Sequence, residues 1–329
     1  MSALFADLLG QGPASALLLA ALEARRIAPA YLFAGPQGVG RRLAALRFLE
    51  GVLAGPGGSL PLRRRVAEGN HPDLLRVEPT YLHRGELVPL SRAEEEGVNR
   101  RSPPQLRLEQ IREVSRFLAR RPVEASGCVV VIEQAEAMAE AAANALLKTL
   151  EEPGDGLLLL ITAAPEQLLS TIRSRCQLIP FRRLAPAEVA QVLERLPAAA
   201  GEGQSPADSP DPPELLELAA GSPGALLQHR RQWQALPAEL TARLQDLPGC
   251  GDPLVALALA RDLSDALDGE QQLWLLGWWQ LWLWRRQATP AVLQRLERLR
   301  RQLRAYVQPR LAWEVALLEL GTVLGSSRQ

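Results

Sequence analysis

Two arginines stand where a phosphate-handling loop needs a lysine and a hydroxyl. The segment Gly35-Pro36-Gln37-Gly38-Val39-Gly40-Arg41-Arg42 follows the apolar run Ala30–Ala34 and leads into a helical period. Its glycines keep the spacing of the P-loop pattern G-x-x-x-x-G-K-[ST]. Such a turn aims backbone N–H groups and a helix N-terminus at an anion. Arg41 takes the place of the lysine that reaches the β- and γ-phosphates, and Arg42 that of the hydroxyl on Mg²⁺. A guanidinium cannot ligate a metal, and it is bulkier than an ammonium in a tight cradle. Taken alone, a glycine-rich strand–helix turn also fits an ordinary tight turn.

A second strand end carries the same kind of change. The run Val129–Ile132 passes into Glu133-Gln134. A nucleotide hydrolase places a Mg²⁺-holding acid here, commonly followed by a catalytic glutamate. Gln134 has no carboxylate with which to activate water. A buried strand leading into a helix with ordinary polar residues fits this segment too. No Ser/His/Asp or Cys/His set suggests itself, and His71, before a proline and a strand, reads as a turn or capping residue.

These segments need a scaffold of alternating strands and helices. Strands are expected at Ala30–Ala34, Leu74–Val77, Cys128–Ile132, Leu157–Thr162 and Gln177–Phe181, the last weakened by Pro180. Helices are expected at Pro13–Arg26, Leu106–Leu118 and Ala135–Leu150, with loops at Ala54–Leu60 and about Pro79–Pro104. That order implies βαβ units and a mostly parallel sheet covered on both faces. Beyond it the pattern is helical throughout. The reading is therefore a residue 1–182 nucleotide-binding-like α/β domain, a 183–231 helical lid and a 232–329 all-α domain. The polar, proline-rich stretch 201–213 reads as a flexible connection within the lid.

Composition narrows the function classes. Lysine plus arginine and aspartate plus glutamate number 37 each, so formal net charge is zero. A stand-alone nucleic-acid binder usually carries a basic excess, so contact with DNA is expected to be local or shared. The three cysteines, Cys128, Cys176 and Cys250, match no zinc motif, and their sparse count fits a reducing compartment. Cys128 and Cys176 lie on or beside apolar strands and read as core thiols. The opening MSALFADLLGQG lacks the basic stretch of a secretory signal. The apolar stretch Leu273–Trp284 is too short to span a bilayer. A soluble cytoplasmic protein with no membrane contact is expected. In that stretch Trp274, Trp278 and Trp282 share one helical face, while Trp279 and Trp284 point elsewhere. They read as core, as inter-subunit surface, or both. The Arg295–Arg304 segment reads as a solvated helical face or a partner for acidic groups.

Longer words carry a family resemblance. Asn144–Pro153 (NALLKTLEEP), Thr171–Gln177 (TIRSRCQ) with its Ser174-Arg175-Cys176 motif, His71-Pro72-Asp73-Leu74, Gly10-Gln11 and Gly221–Leu226 (GSPGAL) occur in one order. Over roughly residues 5–230 the chain resembles the bacterial clamp-loader subunits of DNA polymerase III, in their delta-prime branch. The resemblance implies a RecA-like AAA+ domain, a helical lid and a helical collar joining five subunits. It implies that Arg175 acts in trans at a neighbour's ATP site, and that Thr162 and Gly224 hold the sensor 1 and sensor 2 positions, the latter without the nucleotide-contacting arginine. No intrinsic hydrolysis is then expected from this chain, as one subunit of a DNA-directed DNA polymerase holoenzyme. The implied partners are tau/gamma and delta in a hetero-pentameric ring, with the sliding clamp and primer-template DNA met through the complex. ATP is bound by neighbours. Better-known members carry a four-cysteine zinc module between the P-loop helix and the second strand; residues 43–73 hold no cysteine, so no zinc is expected. Intact Lys-Thr and Asp-Glu pairs would have favoured a tau/gamma-like motor ATPase. A small-molecule P-loop kinase fits the long helical C-terminal region poorly.

Overall fold

A computed structural model of the chain describes residues 3–93, 95–98, 103–152, 154–196, 211–247, 252–286, 289–305 and 307–326, the last five of these by backbone alone. Cys250 and the 201–210 part of the expected connection lie outside the described residues. The chain packs as two compact units, Met1–Ala200 with Gly221–Gly224, and Gly201–Ala220 with Ala225–Gln329.

The first unit begins α1 (Gly12–Glu23), β1 (Ala30–Ala34), α2 (Arg41–Ala54), α3 (Leu60–Glu68) and β2 (Leu74–Val77). It continues with β3 (Thr80–His83), β4 (Glu86–Pro89), α4 (Leu108–Leu118), β5 (Val129–Ile132) and α5 (Glu140–Glu151). It ends with β6 (Leu157–Thr162), α6 (Ser170–Arg173), β7 (Gln177–Pro180) and α7 (Pro186–Arg195). The five expected strands form one parallel sheet in the order β2-β5-β6-β1-β7. Every residue of β1, β5 and β6 is buried, as a parallel sheet covered on both faces requires. In β1, Ala30, Leu32 and Ala34 join the core with Ile111, Val114 and Leu146 of α4 and α5. Tyr31 and Phe33 face the other way, toward Phe48 of α2, with ring centroids 4.9 and 6.4 Å apart.

Two local expectations are corrected. Residues Pro79–Pro104 are not all loop: β3 and β4 pair antiparallel, Thr80 opposite Pro89 and His83 opposite Glu86. Their turn, Arg84-Gly85, has positive φ at both positions, the geometry that suits a two-residue hairpin. Leu82 and Leu87 stay exposed, so the alternation that marks a half-buried strand is blurred. The expected helix Ala135–Leu150 is interrupted: Ala135–Ala137 form a 3₁₀ turn, and α5 starts only at Glu140. Between them Met138 bridges to Leu106 as extended backbone. The basic run Arg63-Arg64-Arg65 lies on α3, just after the expected loop.

The second unit is helical: α8 (Pro213–Ala219), α9 (Pro223–Ala235, from Ala225 onward), α10 (Ala238–Asp246), α11 (Pro253–Ala266), α12 (Gly269–Arg285), α13 (Pro290–Arg304) and α14 (Pro309–Ser326). Asp268 and Gln271 cap α12 reciprocally, a box that satisfies two otherwise orphaned donors. Trp278, Trp279 and Trp282 are buried and Trp284 is 59% exposed, so α12 is covered on several sides within its own unit. Trp279 Nε1–H donates to the Leu244 carbonyl at 3.1 Å, and Trp313 Nε1–H to Gln272 Oε1 at 3.0 Å. In the arginine-rich α13, Arg295 pairs with Glu319 and Arg300 with Glu297. Among the described residues no helix is long and apolar enough to cross a membrane.

Candidate functional site

The glycine turn sits at the carboxyl edge of the sheet, between β1 and α2. Gly35, Gly38 and Gly40 all have positive φ, and Gly40 caps α2 without a side chain. At Gly35 a side chain would collide with the Phe181 carbonyl. The shape of a phosphate cradle is thus present. Its carbonyls are tied from within the chain. Ser222 Oγ–H donates to the Gln37 carbonyl at 2.6 Å, Gly224 N–H to the Gly38 carbonyl at 3.0 Å, and Gln11 Nε2–H to the Val39 carbonyl at 3.2 Å. Gln11 also bridges to Arg182, accepting its N–H at 3.1 Å and donating to its carbonyl at 2.7 Å.

Beside the turn, two arginines and a glutamate form a charge cluster. Arg42 Nε lies 3.3 Å from Glu133 Oε1, and Arg76 Nη2 donates to the same oxygen at 2.9 Å. The positions expected to supply a hydroxyl and an acid to Mg²⁺ therefore hold a guanidinium against a carboxylate. Magnesium demands oxygen ligands in near-octahedral order, and this pair does not fit it. Arg41 is buried and its Nη1 has no hydrogen-bond partner among the described residues. Burial pulls its guanidinium below the usual value, and the charges of Glu136 and Glu133 act against that. Gln134 adopts a left-handed conformation, φ 50° and ψ 54°, as the chain leaves β5. This is unusual for a residue with a side chain, and it offers no base. Among the described residues no group of three or more His, Cys, Asp or Glu is placed to hold a metal.

The remaining expected positions are structural in their contacts. Thr162 is fully buried; its Oγ1 accepts Ala164 N–H at 3.1 Å, and its carbonyl accepts Gly35 N–H at 3.2 Å. Gly224 lies so close to the loop that an added Cβ would stand 2.8 Å from Gly38 Cα. An arginine there has no room without displacing backbone. His71 is buried, and its Nδ1 accepts Asp73 N–H at 3.1 Å, the expected turn role. Cys176 is partly buried and its thiol is pushed up to about 11 by burial, so it is a poor nucleophile at neutral pH.

Arg175 is at the other end of the sheet. Gln177 stands beside Tyr31 and Pro180 beside Ala34. The arginine therefore emerges before β7, at the amino edge, while the glycine turn follows β1 at the carboxyl edge. The length of β7, about 13 Å, separates those edges. Arg175 is exposed; its Nη1–H donates to the Thr171 carbonyl at 3.1 Å and its Nη2–H to Glu151 Oε1 at 2.8 Å. Ser174 Oγ–H also donates to the Thr171 carbonyl at 3.1 Å. The structure thus gathers Gly35, Gly38, Gly40, Arg41, Arg42, Glu133, Gln134, Thr162 and Gly224 around one sheet edge and places the Ser174-Arg175-Cys176 motif away from them. Sequence reasoning missed Gln11, Arg76, Glu136 and Glu151 as members of these sites. A charged Arg76 inside the apolar β2 was the available signal; the others became visible only through contacts.

Comparison with known proteins fits this arrangement. A family described as "DNA polymerase III, delta subunit" matches residues 10–185, more than half of the chain. A second, "Cyanobacterial DNA polymerase III delta prime, C-terminal domain", matches residues 187–320. The chain is 34% identical over 176 residues to DNA polymerase III subunit delta' of Bacillus subtilis, covering 52% of this chain and 47% of that one. It is 35% identical over 193 residues to the subunit delta' of Pseudomonas aeruginosa, covering 53% of each. The chain thus spans about half the length of these relatives. A crystal structure of a DNA polymerase III gamma subunit-related protein from Thermotoga maritima aligns over 93% of this chain and 98% of that one, with a TM-score of 0.54 at 15% identity; at that identity the likeness is one of fold. With the two family matches spanning residues 10–185 and 187–320, the chain belongs to the DNA polymerase III delta-prime family.

Proposed function

We propose that this chain acts as a non-hydrolysing subunit of a DNA polymerase III clamp loader and lends Arg175 to the ATP site of a neighbouring subunit. One observation carries the reading. The arginine lies exposed at the sheet edge opposite the chain's own cradle, where it cannot serve that cradle but can reach a ligand on an adjoining subunit. A guanidinium brought to the γ-phosphate offsets charge that develops in phosphoryl transfer and is worth about 10³–10⁵ in rate.

The disabled cradle supports the complementary half. With Arg42 against Glu133, glutamine at 134 and glycine at 224, the chain keeps a fixed wedge in place of a hydrolytic site. This disfavours a tau/gamma-like motor. The proposed partners are tau/gamma and delta in a five-membered ring in the cytoplasm. That assembly opens the sliding clamp and sets it on primed DNA. The chain needs no zinc or nucleotide of its own; ATP sits on its neighbours.

The test is reconstitution with the ATPase subunits. Arg175→Ala should assemble normally by gel filtration and lower ATP turnover of the ring, down to the level that the ring's other sites sustain. Unchanged turnover in a fully assembled ring would refute the trans role. Mg²⁺-dependent hydrolysis by the purified chain alone would refute the non-hydrolysing role.

A further inference from the structure

We infer that Glu151 is the positioning residue for Arg175. This rests on the trans role proposed above and adds a second residue to it. The Arg175 guanidinium is held on two sides by its own chain: by the Thr171 carbonyl of α6 at 3.1 Å, and by the carboxylate of Glu151, the last residue of α5, at 2.8 Å. Two elements of the α/β unit thus hold one long side chain. A guanidinium has five N–H donors in a planar fork. Two bonds orient that fork and leave three donors for a ligand.

The alternative is that Glu151 holds the arginine back. Exposure argues against it. The Arg175 and Glu151 side chains are 36% and 54% exposed, and a pair this open to water is weak. It cannot outcompete the concentrated charge of a triphosphate. It can still narrow the rotamers of an otherwise swinging arginine, so that less freedom is lost on docking. Glu151 touches no reacting atom; its effect runs through the orientation of Arg175.

The experiment uses the reconstituted clamp-loader ring with Glu151→Ala, Glu151→Gln, Arg175→Ala and the Glu151→Ala/Arg175→Ala double variant. Glu151→Ala should lower kcat at saturating ATP by most of the loss that Arg175→Ala causes, with KM little changed, because misplacing a transition-state group costs rate rather than ground-state binding. Glu151→Gln keeps the acceptor oxygen and should recover most of that loss. The double variant should be no slower than Arg175→Ala alone. Melting curves of each chain before assembly separate a folding defect from a rate defect. Glu151→Ala turning over like wild type, or faster, while Arg175→Ala is impaired overturns the positioning role. So does Glu151→Gln as slow as Glu151→Ala. Arg175→Ala as fast as wild type overturns instead the trans role on which the inference stands.

Discussion

Arg42 and Glu133 meet at 3.3 Å across the mouth of the glycine turn. On the function proposed above, both occupy positions from which a nucleotide hydrolase would hold Mg²⁺. The Arg42 guanidinium stands against the Glu133 carboxylate, and Arg76 adds a second cation on the same oxygen. The site is neutralised from inside.

Removing one arginine should therefore not create an enzyme. Arg42→Thr restores the hydroxyl but leaves Glu133 paired to Arg76, Arg41 in place of lysine and Gln134 in place of a base. We expect no Mg²⁺-dependent ATP hydrolysis by this variant and a stability change under about 1 kcal/mol, since Arg42 is largely exposed. Phosphate release and a thermal melt check both; turnover by Arg42→Thr alone would contradict the description of the site.

Gly224→Ala tests the packing of this glycine on the loop. Its Cβ would stand 2.8 Å from Gly38 Cα and 3.1 Å from the Gly38 carbonyl oxygen. Backbone rather than a pliant side chain must move. A loss of about 1–3 kcal/mol in chemical denaturation is expected. An unchanged midpoint would mean that the segment is not seated on the loop.

Asp73 predicts an acid limb. Burial would raise its carboxyl, but the N–H groups of Glu124, Val123 and Ala125, at 2.7–2.8 Å, and the charge of His71 outweigh burial and hold it below the usual carboxylate range. A depressed native value contributes stability that is present above about pH 4 and lost as pH falls through the native value. Asp73→Asn turns an amide donor toward backbone donors. It should cost about 1–3 kcal/mol at neutral pH and flatten the loss between pH 5 and pH 2. Denaturation midpoints across that range decide it, and parallel curves for the two proteins would count against the assignment.

Two tryptophans of α12 should behave in opposite ways. Trp279 is fully buried and donates to the Leu244 carbonyl, whereas Trp284 is 59% exposed. Trp279→Ala should cost about 3–5 kcal/mol and Trp284→Ala within about 0.5 kcal/mol, read from urea midpoints. Equal effects would contradict the packing of the helical unit.

The five core strands, the glycine turn and the missing lysine, hydroxyl and base were all legible in the order of residues, because each is a local property. An apolar run of four to six residues, a glycine spacing and a residue type need no knowledge of what lies across the fold. The Arg42–Glu133–Arg76 cluster, the tying of Gln37, Gly38 and Val39 by Ser222, Gly224 and Gln11, and the restraint of Arg175 by Glu151 were not legible. Each joins residues brought together only when β1, β5 and β2 take their places in the sheet and α5 packs beside α6. The hairpin at Thr80–Pro89 was hidden for a related reason. Its faces are sorted by a small local cluster, Tyr81, Val88, Ala93 and Val98, rather than by the main core, so its sequence lacks the strong alternation that a large apolar surface imposes. Residue chemistry said which groups the glycine turn carries; only the parallel register of β7 beside β1 set Arg175 at the opposite edge, because strand direction and pairing are decided by the whole sheet.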